Sequence, residues 1–597
     1  MCGIIGYIGK NKAINVLING LEKMEYRGYD SSGVCLYSKD KIDIIKSIGK
    51  ISNLKEKINY DETSSYTRGI AHTRWATHGG VTLENAHPHK QGKVIVVHNG
   101  IIENAKELKE QLKTKGYKFY SDTDTEVIAA LLDYYLEDDI LKTIEKAKQK
   151  LIGSYALGIV IEGIEDEMYI VKKDSPLIIG IGKGEVFFAS DIVAINSYTN
   201  NFIFLSEGEV GILKEDKVEV YKDFIKQEKE VKTINVLNDS HDKNGFAHYM
   251  LKEINEEPVL LENMLQPFLE DINLLPDISS YDAIHIVGCG SALYAGMVFK
   301  YLLEEIAGCN VLIEVASEYR YRRINYDKKT LVVLISQSGE TADTIAAMRF
   351  AKKNNADTLA IVNVENSTRI SVLKGVGEKT EQLFIKAGVE VAVATTKAYI
   401  LQTALLSLIA LKLCYDKGII KDIEKYLDEY KTIPKLIKET IDKEENYKKI
   451  AKEIYNSKDA FFIGRKIDYA YSLEGSLKLK EVSYINASAY QAGELKHGTI
   501  SLIDNNSVVF GILTDEEIIP KTLSNIIETE ARGANVIVIT NDKKIDYKNK
   551  ILVPKVSYFT QGLLVIPTMQ LIAYYTALLK NCSIDQPKNL AKSVTVE

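Results

Sequence analysis

The residue with the most chemistry to offer near the start of the chain is Cys2, in "MCGIIGYIGK". Removal of Met1, which a small second residue favours, would leave a thiol and a free α-amine on one residue. A thiol that has its own amine as general base can attack a carbonyl without a histidine partner. Arg74 stands beside Trp75 in "HTRWATHG", and its forked guanidinium suits a substrate carboxylate. In "VIVVHNGII", Asn99 and Gly100 admit two readings. One is a type I′ hairpin turn; the other is an oxyanion hole made by the Asn99 amide and the Gly100 N–H. "SDTDTEVI" offers Asp124 as a helix cap or as the acidic partner of a substrate ammonium. Together these residues describe a pocket for a zwitterionic amino acid whose side-chain carbonyl meets a thiol, and glutamine fits. His87 and His89, in "HPH", resemble a metal-ligand pair, but no Cys, Asp or Glu stands at metal spacing beside them. They are read as packed strand and loop histidines.

A second set of residues lies beyond position 280. "LVVLISQSGET" is a buried strand running into a loop that opens a helix. Ser336, Ser338 and Thr341 either cap that helix or, with backbone N–H groups, cradle a phosphate outside the carboxyl end of a parallel strand. "GCGSALYAG" is not G-x-G-x-x-G, so a dinucleotide site is not indicated. In "SLEGSLKLKEVSY", Glu474, Lys478 and Glu481 fall on one helix face at the i, i+4, i+7 spacing. A solvated i, i+4 ion pair is one reading; the apolar flanks instead put Glu481 on the buried or pocket-lining side, where a carboxyl with a raised pKa would suit proton transfer. His497 stands in the loop "GELKHGT", and Lys592 sits between small residues in the tail "DQPKNLAKSVTVE", where an amine would meet a carbonyl if the tail closed over a site.

These residues need elements to hold them. The 597 residues suffice for three or four compact units. Up to about 235 the pattern is short strands with a few helices, including "GIAHTRW", "KVIVVHNGII" and "TDTEVIAALLDYYL", which predicts a sandwich of sheets flanked by helices. The polar stretch "VLNDSHDKNGF" (236–246) is read as a linker. Beyond it, strands such as "AIHIVGCGS" end in small-residue loops and lead into long helices, and the pattern recurs from "AFFIGRKI". Two related units with parallel sheets and helices on both faces follow.

Composition narrows the function classes. A net charge of −7, from 75 basic and 82 acidic residues, with no long basic cluster, argues against nucleic acid as a partner. The six cysteines are scattered, which suits a reducing compartment. "AYILQTALLSLIALKLCY" and "QGLLVIPTMQLIAYYTALL" carry polar residues or a proline and are read as buried helices rather than membrane spans. With no cationic stretch ahead of an apolar one at the start, a cytoplasmic location is expected.

With these residues assembled, the whole chain resembles the glutamine:fructose-6-phosphate amidotransferase (isomerising) family. The resemblance is carried by "MCGIIGYIG", "MEYRGYDSSG", "AHTRWATHG", "VVHNGIIEN", "SDTDTEVI", "ISQSGET", "SLEGSLKLKE", "AGELKHG" and "QPKNLAKSVTVE" in that order. It implies an αββα N-terminal-nucleophile glutaminase domain (1–239), a linker and connecting helix (240–274), and two doubly wound parallel α/β sugar isomerase domains (275–425 and 426–585). A tail (586–597) would close over the sugar site. It further implies Cys2 as nucleophile, Asn99 and Gly100 as oxyanion hole, Arg74 and Asp124 as glutamine ligands, and Trp75 as gate of an internal ammonia channel. In the sugar half it implies phosphate contacts from Ser336, Gln337, Ser338 and Thr341, with Ser291, Val393 and Thr395 also at the sugar phosphate. Lys592 would form a Schiff base with the ketose. His497, from a neighbouring subunit of a homodimer, would serve ring opening, and Glu481 with Lys478 nearby would move a proton between C1 and C2. No metal or redox cofactor is implied, since electrons shift only within one sugar.

Three places depart from the family pattern. The first sugar loop has Ala292 where a serine is usual, Thr395 stands where a serine is usual, and no proline follows "ATHG" before Gly80-Val81-Thr82. Among other enzymes with such an N-terminal domain, phosphoribosylpyrophosphate amidotransferase would need a different second half. A sugar deaminase would lack the first half. A non-enzymatic phosphosugar sensor would carry a DNA-binding helix-turn-helix, and no basic recognition helix is found.

Overall fold

The computed structural model describes residues 2–38, 41–234, 243–324, 326, 329–363 and 380–594. Expectations about Met1 removal, residues 236–242 of the linker and the last three residues of the tail lie outside them. The chain forms two compact units. One is built on the residues up to 234 together with 340–342 and 591–594, and the other on the rest.

In the first unit two antiparallel sheets stack face to face. The eight-stranded sheet runs, in spatial order, Lys232–Thr233, Asn201–Phe204, Ile178–Ile181, Val186–Ala189, Gly3–Ile8, Arg68–Arg74, Ser31–Tyr37, Ile42–Ile48. The seven-stranded sheet runs Ile225–Gln227, Val218–Lys222, Val210–Leu213, Met168–Lys173, Gly153–Ile161, Val94–Ile102, His89–Gln91. The period-2 alternation of strands assigns each side chain to a layer. Ile5 and Tyr7 pack with the helix Ala13–Met24 on the outer face, whereas Ile4 and Ile8 enter the core between the sheets. In the other sheet Val94 and Val96 meet the helices Asp124–Tyr134 and Ile140–Lys148, while Ile95 and Val97 face the inter-sheet core. The result is the αββα sandwich expected.

The second unit holds two five-stranded, all-parallel sheets with the same connectivity. The first is ordered Val311–Val315, Ala283–Gly288, Thr330–Ser336, Asp357–Val362, Thr380–Phe384. The second is ordered Asn486–Gln491, Asp459–Gly464, Val508–Leu513, Asn535–Thr540, Lys550–Leu552. The repeat extends to the backbone. Gly290 (φ 54°, ψ −132°) precedes the helix Ser291–Glu305, and Lys466 (φ 50°, ψ −129°) precedes the helix Ile467–Ser483. Both turn the chain sharply from a strand end into a helix. The helices Lys397–Asp416 and Gly562–Leu579 are long and apolar enough to cross a membrane, but both are buried within the core that spans the two sheets.

Candidate functional site

In the first unit, two paired strands of one sheet and one strand of the other bring Arg74, Asn99 and Gly100 toward Cys2. Cys2 immediately precedes the central strand Gly3–Ile8, which pairs with Arg68–Arg74 in the register Gly3↔Thr73. That register sets Cys2 beside the end of the neighbouring strand. The Trp75 N–H donates to Cys2 Sγ at 3.2 Å, and Sγ lies 3.4 Å from the Trp75 carbonyl. Burial pushes the Cys2 thiol pKa up, against the pull of nearby cationic charge and the Trp75 N–H. Trp75 itself is half-buried, edge-on to Tyr29 at 6.0 Å.

Asn99 and Gly100 are not a turn. They lie inside the strand Val94–Ile102, paired with Ala156 and Tyr155, and the hairpin bend falls earlier, between Gln91 and Val94. Asn99 Nδ2 donates to the Cys2 carbonyl at 3.0 Å, which places the amide beside the thiol's own backbone. Gly100 has φ 136°, and a Cβ there would sit 2.0 Å from the Ser154 carbonyl oxygen. Only glycine fits.

Arg74 ends its strand with the guanidinium held by the carbonyls of His78, Gly79 and Gly80. The loop that lacks the usual proline is braced by Asn85, which donates to the Gly80 carbonyl at 3.1 Å and accepts from the Asp122 N–H at 2.9 Å. Asp124 is not the helix cap. Thr123 caps the helix Asp124–Tyr134, and Asp124 Oδ2 accepts from the Ile102 N–H at 2.8 Å, two residues beyond Gly100.

Sequence reasoning missed several residues here. Asp30 accepts from the Ala76 N–H at 2.9 Å, and its own N–H donates to the Arg74 carbonyl at 3.0 Å, so it fixes both sides of Trp75. His72 and His98 lie against Asn99, and the His87 ring stacks on His72 with centroids 4.0 Å apart. Five histidines between positions 72 and 98 were the available signal. Among the described residues no group of three or more metal-ligating side chains is found.

In the second unit the helix Ile467–Ser483 carries the acid–lysine–acid face as its spacing predicts. Lys478 Nζ lies 2.6 Å from Glu481 Oε2 and 3.5 Å from Glu474 Oε1. Burial alone would push the Lys478 ammonium down, but Glu481 and Glu474 outweigh it and hold its pKa above the usual lysine value. The fully buried acid is Glu474, whose carboxyl burial pushes up to about 7. It accepts from the Ser291 hydroxyl at 3.1 Å, joining the first-sheet helix to the second-sheet helix. Glu481 is half-buried.

Ser336 closes the strand Thr330–Ser336, and its Oγ accepts from the Gly339 N–H at 3.1 Å, which curls the Gln337–Ser338 loop ahead of the helix Ala342–Lys353. Val393 and Thr395 lie in a segment pinned at several points. Glu253 accepts from the N–H groups of Val391 and Ala392, Glu390 accepts from those of Thr396 and Ala398, and the Val393 N–H donates to the Asp585 carbonyl. His497 is exposed on the short turn Glu494–His497. Lys592 is half-buried and groups with the first unit, while Glu481 belongs to the second.

The two sheets differ at equivalent crevices. Where the first has Ala292, two residues after Gly290, the second has Asp468, two after Lys466. The Asp468 carboxylate accepts from the Thr514 N–H at 2.9 Å, the Asp515 N–H at 3.3 Å and the Thr514 hydroxyl. The second sheet therefore already has a carboxyl acceptor at this position, where the first has the methyl group of Ala292.

The comparisons agree with this division of labour. A family model described as a glutamine amidotransferase domain matches residues 82–197, and one described as a SIS domain matches residues 277–412 and 453–579. A glutamine--fructose-6-phosphate aminotransferase [isomerizing] of Clostridium tetani is 43% identical over 618 aligned positions that take in all of both chains. The protein of the same description from Thermotoga maritima is 41% identical over 613, again covering both chains fully. The solved C-terminal domain of glucosamine-fructose-6-phosphate aminotransferase from Francisella tularensis is 34% identical, covers 58% of this chain and all of its own, and superposes with a TM-score of 0.55.

Proposed function

Because the chain belongs to the glutamine--fructose-6-phosphate aminotransferase [isomerizing] family, we propose that it makes glucosamine 6-phosphate and glutamate from fructose 6-phosphate and glutamine, the entry step of amino-sugar biosynthesis. The observation that carries this reading is the Cys2 thiol with the Asn99 amide 3.0 Å from its backbone carbonyl, on a chain whose second half repeats a parallel sugar isomerase sheet.

In the glutaminase domain (1–239) Cys2, freed of Met1, attacks the glutamine Cδ, and its α-amine takes the thiol proton. The oxyanion is met by Asn99 Nδ2 and the Gly100 N–H. Collapse expels ammonia with that proton, and water then releases glutamate from the thioester. Arg74 and Asp124 hold the α-carboxylate and α-amine. Ammonia is carried past Trp75 without leaving the protein, because in neutral water most of it would be protonated and no longer nucleophilic.

The connecting segment 240–274 leads to the sugar isomerase domains, 275–425 and 426–585. Ser336, Gln337, Ser338 and Thr341 take the phosphate, helped by Ser291, Val393 and Thr395. His497 of a neighbouring subunit in a homodimer assists ring opening, and Lys592, on the tail 586–597, forms the imine at C2. After ammonia replaces the lysine, Glu481 removes a proton from C1 and returns it to C2, which converts ketimine to amino-aldose without an external oxidant. Lys478, 2.6 Å from Glu481, holds that carboxyl in place. The enzyme works in the cytoplasm.

The test is a product assay on purified protein with fructose 6-phosphate, comparing glutamine with an ammonium salt, for the native chain and for Cys2→Ala. Glucosamine 6-phosphate from glutamine, lost in Cys2→Ala, is the expected result. No amino sugar with either donor would sink the reading.

A further inference from the structure

The Asn99 carboxamide is held from both ends. Its nitrogen is identified by chemistry: the Cys2 carbonyl, 3.0 Å away, can only accept, so the group facing it is the NH2. The amide oxygen is thereby turned toward His72, whose Nε2 lies 3.2 Å from it. The same Nε2 lies 3.0 Å from the His98 carbonyl oxygen. Two acceptors around one ring nitrogen require that nitrogen to carry the proton, so His72 is the Nε2–H tautomer and shares that proton between Asn99 and the His98 carbonyl.

The rest of the His72 environment locks this tautomer. The ring is 0% exposed, and among the described residues its Nδ1 has no hydrogen-bond partner. The His87 ring stacks on it at 4.0 Å and is met edge-on by His89 at 4.8 Å. A proton on Nδ1 would be buried without an acceptor. Burial pushes the imidazole down to about 3 against the pull of the His98 carbonyl and Asn99 hydrogen bonds, with the Arg74 and His98 charges adding to the lowering, so the ring stays neutral at working pH.

We propose that His72 is the positioning residue of the oxyanion hole, its Nε2–H holding the Asn99 amide oxygen so that the second Nδ2 proton stays turned toward the reacting carbonyl. The inference rests on the oxyanion-hole reading of Asn99. An amide has two nearly isosteric orientations about its last torsion. The wrong one would set the Asn99 oxygen against the Cys2 carbonyl and against the developing oxyanion. The Cys2 carbonyl alone offers one hydrogen bond to choose between them, and His72 supplies the second.

The test uses the full chain and three His72 variants. Counted in bonds from Cβ, the glutamine amide nitrogen stands where Nε2 does, whereas asparagine reaches only the Nδ1 position and methionine has similar length without a donor. His72→Gln is expected to keep glutaminase kcat within about fivefold. His72→Met and His72→Asn are expected to lose about 100-fold in kcat with KM for glutamine changed little, the scale of losing one oxyanion donor. Alkylation of Cys2 by iodoacetamide forms no oxyanion, so its rate stays near that of the native chain in all three and reports an intact thiol site. Asn99→Ala serves as reference. If Asn99→Ala loses activity and His72→Met does not, or if the Gln and Met variants fall together with alkylation intact, the inference is overturned. If Asn99→Ala itself keeps kcat, the oxyanion reading fails and takes the inference with it. Should the Met variant misfold, seen as a collapse in melting temperature, the Gln and Asn pair decides.

Discussion

Lys478 Nζ stands 3.5 Å from Glu474 Oε1 in a place where both residues are only 1% exposed, so a cation and a carboxyl that would each be costly alone share one buried pocket. Glu481 is the third member at 2.6 Å. Replacing Lys478 with Met leaves two facing carboxyls, and breaking such a buried pair costs about 3–5 kcal/mol. The expected outcome is an isomerase half that melts lower and isomerises fructose 6-phosphate at least about 100-fold more slowly. Without the cation the carboxyls hold protons more tightly in the folded state than in the unfolded one. Stability is then present at low pH and lost as pH rises. Melting temperatures from pH 8 to pH 5 should therefore climb more in Lys478→Met than in the native chain, and parallel curves would refute the account.

The pH response of the glutaminase unit has the opposite sign. Burial lowers the pKa of His72 to about 3, of His98 below its usual value, and of His87 and His89 well below it. Unfolded histidines titrate near 6.5. Below that pH the unfolded chain binds protons that the folded chain refuses, so the stability these groups contribute is full above about 6.5 and lost as pH falls. Each contributes a slope approaching 1.4 kcal/mol per pH unit within its window. Calorimetry near pH 5 in buffers of different ionisation enthalpy should find about one more proton taken up on unfolding of the native chain than of His87→Phe. No difference in uptake between the two chains would contradict the burial assigned to the cluster.

Gly100→Ala tests the strand geometry beside the thiol. A Cβ would meet the Ser154 carbonyl oxygen at 2.0 Å, and φ 136° is closed to side chains. The strand must shift, and the Gly100 N–H with it. The expected result is a loss of glutaminase kcat of about 100-fold or more. Fructose 6-phosphate binding, followed by titration calorimetry, should be unchanged.

How much of this was legible in the sequence depends on the distance over which each feature is decided. The Glu474, Lys478, Glu481 face is set by helical spacing within eight residues, so the period alone placed it. Asn99-Gly100 reads equally well as a turn, because the dipeptide is the same in both settings. What decides is its pairing with Ala156 and Tyr155, more than fifty residues away. Asp124 was ambiguous for a nearer reason, since Thr123 sits one residue earlier and wins the cap. The packed reading of His87 and His89 agrees with their burial and ring contacts. The contact of the histidine stack with Asn99 was invisible, because the rings come from separate strands and a loop.

The doubled sheet was also legible, yet the difference between its halves was not. Asp468 looks like an ordinary first-turn acid, and only the fold reveals that its carboxylate occupies the donors of the Thr514–Asp515 loop. Burial pushes that carboxyl up to about 7 against the pull of those donors. Asp468→Ala removes the resident acceptor and leaves buried N–H groups unpaired, at about 1–3 kcal/mol for each that water does not reach. A lower melting temperature follows from that alone. A free oxyanion has the chemistry to take the carboxylate's place among the same donors. Millimolar inorganic phosphate should therefore raise the melting temperature of Asp468→Ala by more than it raises that of the native chain, whose second crevice is already filled. On the proposed phosphate contact of Ser338, adding Ser338→Ala to both chains should weaken the phosphate response of the first sheet and leave the difference between them standing. If the difference vanishes in that background, the Asp468 crevice is a packing feature and not a self-occupied anion cradle.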